Sequence, residues 1–242
     1  MSSYGVGVVV VGGLFLSFTP IVAAGGTWVE IGDAPDWPAA TSWQVTMGIG
    51  PLRSITGLTS LQVGDTVDAY GIRITDVANF YATTSALFDA AASANFDTRL
   101  WLFSVDGTPV LGNDDAPGDS DFHSLLTDPQ SYPGTVAPTA LGISLNPGLY
   151  VLIISGYIND PEDALNLDMV GPFLAGGFEH LHGPNPGAGP FDHWEDMGSD
   201  ETGMYTIALS GATFDVPAPG VGTMVVIGIT GIFGRRRRRR HG

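Results

Sequence analysis

The chain reads as an all-β protein, an antiparallel β-sandwich flanked by an N-terminal signal helix and a C-terminal transmembrane helix. Three observations predict this. Its 242 residues include 34 Gly and 17 Pro, the composition of many short strands joined by turns. Between Ile55 and Ser155 several segments alternate apolar and polar residues at period two. Uncharged apolar runs, Val6 to Val22 and Val221 to Phe233, lie near the two ends.

Taken in order, the first run closes on Val22-Ala23-Ala24-Gly25, with small residues where signal peptidase cuts. Cleavage is expected after Ala24, which makes 1–24 a signal peptide, although its first five residues carry no Lys or Arg. After Gly26 the composition changes abruptly to Asp, Pro and Trp. In this segment, 25–54, Trp28, Val29 and Ile31 suit a first edge strand, and Pro35 and Pro38 prevent it from continuing as a regular ladder. Trp37 and Trp43 suit lids on a small core, with an exposed sugar-stacking platform as the alternative.

The body, 55–215, carries the strand signals. Ile55 to Leu58 leads to a turn at Val63-Gly64-Asp65-Thr66, and Val67, Ala69, Ile72 and Ile74 then alternate roughly with polar neighbours. Phe80 to Thr84 is a further strand, and the Ala-rich Ser85 to Asn95 a helical turn or loop. Thr98 to Phe103 is a strong strand, with Leu100 and Leu102 on one face and Trp101 and Phe103 on the other. Asp106-Gly107 is a hairpin turn leading back to Val110 and Leu111. Pro147-Gly148 turns the chain into Leu149 to Gly156, the most apolar strand of the body and so a central one. Leu100, Leu102, Tyr150, Leu152 and Ile154 are the expected core. The stretch 158–202 reads as a loop-rich, solvated extension, and 203–211 as the last strand of the sandwich.

Between Ile55 and Tyr157 four pieces occur in a recognisable order: Gly64-Asp65-Thr66-Val67, Asp97-Thr98-Arg99-Leu100, Asn113-Asp114-Asp115 and Gly148-Leu149-Tyr150. In these the region resembles bacterial pre-peptidase C-terminal domains. The resemblance implies a jelly-roll-like sandwich that accompanies secreted enzymes or surface proteins and is not itself catalytic.

Two loops carry candidate chemistry. In Asn113-Asp114-Asp115-Ala116-Pro117-Gly118-Asp119-Ser120-Asp121, oxygen-bearing side chains crowd around a Gly, as a hard cation such as Ca²⁺ requires. The candidate ligands are Asn113, Asp114, Asp115, Asp119 and Asp121, with Asp97 joining from a neighbouring strand. Side chains that only cap turns are the competing reading. The second loop gathers His180, His182 and His193, with Asp192 beside them, as an alternative zinc or copper site. It underlies the rival function, a metal-dependent extracellular hydrolase. No Gly-x-Ser-x-Gly, His-Glu-x-x-His or phosphate-cradling loop occurs, so a non-catalytic role is expected.

The tail, 216–242, closes the chain with Val216-Pro217-Ala218-Pro219-Gly220, the apolar run, and six arginines, Arg235, Arg236, Arg237, Arg238, Arg239 and Arg240. These are six of nine basic residues, and Lys is absent. The positive-inside rule keeps them in the cytoplasm and the body outside. The three parts together resemble the sorting signal of PEP-CTERM proteins, in its Val-Pro-Ala-Pro-Gly variant. The resemblance implies that an exosortase cuts near the Pro motif and passes the protein to the cell surface or the extracellular matrix.

Elsewhere only Arg53, Arg73 and Arg99 stand against 25 acidic residues. Such a surface repels nucleic acid and suits divalent cations. With no Cys, an exported body has no disulfides, so burial and metal ions are left to hold it. The sequence therefore reads as an exported surface or matrix protein with a structural or binding sandwich. Its expected partners are signal peptidase, exosortase, the membrane and an extracellular polysaccharide.

Overall fold

The computed structural model describes residues 26–38, 42–59, 66–157, 159–171, 173, 177–195 and 201–217. The signal peptide, the turn at 63–65, the apolar tail run and the arginine cluster lie outside the described residues, as do Ala218, Pro219 and Gly220 of the Pro motif. Among the described residues no helix is long and apolar enough to cross a membrane.

The chain is all-β. In order it forms β1 (Thr27–Val29), β2 (Gln44–Val45), β3 (Met47–Gly48), β4 (Ser54–Leu58), β5 (Val67–Ile74), β6 (Tyr81–Thr83), β7 (Ser93–Ala94) and β8 (Thr98–Ser104). There follow β9 (Pro109–Asn113), β10 (Leu125–Thr127), β11 (Gly148–Gly156), β12 (Pro161–Asp163), β13 (Phe191–Trp194), β14 (Met204–Ser210), β15 (Ala212–Phe214) and β16 (Val216–Pro217). The first sheet runs β1-β4-β14-β6-β10, with β7 on β14. The second runs β15-β5-β11-β8-β9, with β2 on β5. The pairs β12-β13 and β3-β16 stand apart from both.

The sheets are mixed, which corrects the antiparallel expectation. β1 pairs with β4, β2 with β5, and β3 with β16, all in parallel. A parallel pair needs a long crossover connection, and the chain between β1 and β4 and between β2 and β5 supplies one. The hairpin expected at Asp106-Gly107 does join β8 to β9, with Gly107 at φ +90°.

The two sheets face each other across one core. Trp28, Ile55, Ile207 and Leu209 meet Tyr70, Ile72, Leu100, Leu102, Leu152 and Ile154, all buried. Four of the five expected core residues are therefore inside. Tyr150 is only half-buried, because its hydroxyl turns out to bond the Asn146 carbonyl at 2.9 Å. Across the layers the hydroxyls of Tyr70 and Tyr205 lie 2.6 Å apart, and Tyr205 donates to Asp68 Oδ2 at 2.5 Å.

The strand at 204–210 is not the last. At Gly211 the chain leaves the first sheet and enters the second as β15. Gly211 has φ +67°, and a Cβ there would stand 2.3 Å from the Asp76 carbonyl oxygen, so the crossing requires glycine.

The second sheet is buried on its other face too. Trp101, Phe103, Val151 and Ile153 pack under Trp37, Met169, Val170 and Phe173. Trp37 meets Trp43 and Phe103 edge to face, with centroids 5.8 and 5.7 Å apart, so the two tryptophans are lids. Part of the extension expected to be solvated is packed: Leu181 is 0% exposed within the main core, and His182 is buried. The reason is local pairing. Gly112 and His182 exchange backbone hydrogen bonds at 2.9 Å each, and Ala137 N–H bonds the Leu181 carbonyl. Gly112 permits the approach, since a Cβ there would meet the Trp101 ring at 2.7 Å.

Candidate metal centre

Period two on β8 sends Arg99 to the same face as Trp101, where almost no water reaches it. A guanidinium in that position requires counter-charges. Two are present. Its Nη2 donates to Asp114 Oδ2 at 2.9 Å and its Nη1 to Asp160 Oδ1. The rings of Tyr157 and Phe173 each lie with their centroids 5.0 Å from the guanidinium carbon. Burial opposes the charge on Arg99, but Asp160 and Asp114 outweigh it and hold the group protonated.

Beside this knot Asp97, just before β8, and Asp114 and Asp115, just after β9, each bring a carboxylate oxygen within 4.8 Å of the others. Asp114 is 1% exposed, and its Oδ1 is buried with no hydrogen-bond partner. Oδ1 of Asp97 is in the same condition. Crowded carboxylates resist ionisation. Burial, then Asp114, Asp115 and Glu201, push Asp97 up to about 8. Burial, then Asp114 and Glu179, push Asp115 up to about 6. Burial raises Asp114 as well, against the pull of Arg99. Oxygens on one Ca²⁺ at 2.3–2.6 Å lie no more than about 5 Å apart, so the three residues fit a single hard cation. With only carboxylates in the set, the softer zinc or copper is disfavoured.

The other expected ligands are elsewhere. Asn113 faces the inner core, where its Oδ1 accepts from Leu125 N–H at 2.7 Å and its Nδ2 donates to Tyr132 Oη at 2.9 Å. Asp119 accepts from the Ser85 hydroxyl and from Asp121 N–H, so it closes a turn. Asp121 is exposed, on the wall of a neighbouring cleft. The loop supplies two ligands rather than five: Asn113 turns into the core, and Asp119 and Asp121 are held in a turn of their own.

A second carboxylate group, Glu30, Asp33 and Asp68, is differently occupied. Glu30 Oε1 accepts from Ala34 N–H and Oε2 from Leu58 N–H, at 2.9 and 2.7 Å. Among the described residues no histidine joins either group. His180 and His182 stack with centroids 6.0 Å apart, and His182 Nε2 lies 3.0 Å from the Gly177 carbonyl. His193, on β13, lies 3.1 Å from Glu162 Oε2 and 3.1 Å from Asp192 Oδ2.

The Arg99–Asp160 pair is missing from the sequence reading. Its signal is Arg99 itself, a rare cation set in an apolar strand, which demands a buried partner. No protein-family model and no curated protein matches the chain.

Proposed function

We propose that the chain is an exported, non-catalytic binding module of the cell surface or extracellular matrix, built on a jelly-roll-like sandwich like that of pre-peptidase C-terminal domains and held in shape by a calcium ion. In this reading the first 24 residues direct export. The tail, with its transmembrane segment and arginines, is the sorting signal on which an exosortase acts, and the partner is an extracellular polysaccharide or the surrounding matrix. The observation that carries the cation is the buried, unpartnered Oδ1 of Asp114 in a carboxylate grouped with those of Asp97 and Asp115. An ion there supplies the missing partner and ties the start of β8 to the end of β9. The absence of a nucleophile motif and the separate engagements of the histidines favour binding over hydrolysis.

The cation is tested by melting the purified chain in Ca²⁺ and in chelator. At a hundredfold excess over Kd the ion stabilises by about 2.7 kcal/mol, roughly 5–10 °C for a body of this size. Asp97→Asn with Asp115→Asn should abolish the difference, and identical wild-type melts would sink the cation. The sorting signal is tested by replacing Arg235 to Arg240 with Gln. Unprocessed protein should then accumulate in the membrane fraction, and normal maturation to the surface would refute that part.

A further inference from the structure

An open cleft of about 780 Å³ adjoins the carboxylate group, its walls including Phe96, Asp97, Asp121, Phe122, His123 and Glu201. Asp97 belongs to both the cleft and the cation group. Phe122 is 54% exposed and has φ +58°, a left-handed conformation that bulky residues rarely adopt. Its carbonyl accepts from Thr98 N–H at 3.2 Å, and the next carbonyl, of His123, accepts from Ala116 N–H at 2.6 Å. The backbone is thus held while the ring stands in water. Strain of this kind concentrates at ligand-binding positions, and an aromatic on a fixed backbone loses little freedom when a ligand covers it.

A Ca²⁺ held there would not be saturated by the three residues. Asp114 has given one oxygen to Arg99, so the three carboxylates offer at most five oxygens, whereas Ca²⁺ takes 6–8. The remaining positions fall to oxygens from outside the three residues. Resting on the cation reading above, we infer that the cleft is a calcium-dependent glycan site for a neutral polysaccharide. A vicinal pair of sugar hydroxyls completes the coordination of the ion. Asp121 and Glu201 accept hydrogen bonds from further hydroxyls, and Phe122, with Phe96, receives the apolar face of the ring. The same acidic walls select the ligand. A polyuronate would bring its own carboxylates against Asp121 and Glu201, a like-charge penalty that a neutral chain does not meet.

The test uses the full chain purified in detergent, passed over immobilised dextran, mannan and xylan, with polygalacturonate as the anionic counterpart. At least one neutral polymer should retain the protein in Ca²⁺ and release it in chelator. Phe122→Ala should weaken retention tenfold or more while keeping the Ca²⁺-dependent rise in melting temperature. Retention by no neutral polymer, retention indifferent to chelator, undiminished retention of Phe122→Ala, or preference for polygalacturonate overturns the glycan site alone. A wild-type chain whose melting ignores Ca²⁺ overturns the cation reading and the glycan site with it.

Discussion

The two faces of the second sheet are buried by different means. The inner face of β5, β11 and β8 meets another sheet, strand against strand, through Ile72, Leu152 and Leu100. The outer face is closed by irregular chain, with Trp37, Met169, Val170 and Phe173 laid over Trp101 and Ile153. Both faces carry buried polar groups, but of different kinds. Between the sheets the Tyr70 and Tyr205 hydroxyls meet beside Asp68, and Asn113 bonds Tyr132. The outer layer carries the buried arginine, Arg99 with Asp114 and Asp160, together with Trp101 Nε1 on Ser155 Oγ at 2.9 Å and His182 on Gly177. The buried ion pairs therefore lie on the outer side, and the carboxylate group lies beside them.

The sharpest way to break this comparison is Arg99→Leu. It strands Asp114 and Asp160 as buried, unpaired acids and should lower stability by about 3–5 kcal/mol in denaturant titrations. Adding Asp114→Asn and Asp160→Asn should restore much of the loss. If it does not, the outer layer depends on the shape of the arginine rather than on its charge.

Leu152→Ala and Leu181→Ala should come next, at about 2–5 kcal/mol each. Both side chains are 0% exposed, one on a central strand and one in the supposedly loose extension. Both belong to the inner core, so a loss at Leu181 much smaller than at Leu152 would mean that irregular chain yields in that core where a strand does not.

The smallest effect is a slope. In the fold Asp97 and Asp115 bind protons more tightly than in the unfolded chain, because burial and neighbouring acids raise them to about 8 and 6. Without a cation the folded state then holds extra protons above the ordinary carboxylate range, so stability falls as pH rises from about 4 through 8. Ca²⁺ displaces those protons and should flatten the slope, as should Asp97→Asn. Melting temperatures in chelator at pH 5 and pH 8 check the sign, and a rise across that interval contradicts it.

What could be read from residues alone follows the same division. Leu100, Leu102, Leu152 and Ile154 announce themselves by alternation, and Asp106-Gly107 and Pro147-Gly148 by turn chemistry, because these signals are local. The burial of Trp101 and Ile153 is signalled by the unbroken apolar runs of their strands, but which distant loop comes to lie above them has no local signal. Leu181 gives no local signal either, since the prolines and glycines after it describe a turn-rich segment correctly and do not say that its side chain enters the core. At the candidate site the sequence singled out Asp97, Asp114 and Asp115. It also drew in Asn113, Asp119 and Asp121, because closeness along a chain overstates closeness in space: Asn113 turns into the core, and Asp119 closes a separate turn with Asp121.

The fold's last pairing sets a length scale. Val216 and Pro217 lie beside Met47 and Gly48, and Val216 N–H bonds the Thr46 carbonyl at 3.1 Å. From Pro217 to Val221, where the apolar run begins, the covalent chain reaches at most about 14 Å. If that run enters a bilayer, the body rides almost in contact with the headgroups, with clearance for little more than one layer of polypeptide. A protease or transpeptidase approaching the Pro motif then meets a folded wall on one side and lipid on the other. Unzipping those two residues from β3 would lengthen the tether without disturbing either sheet.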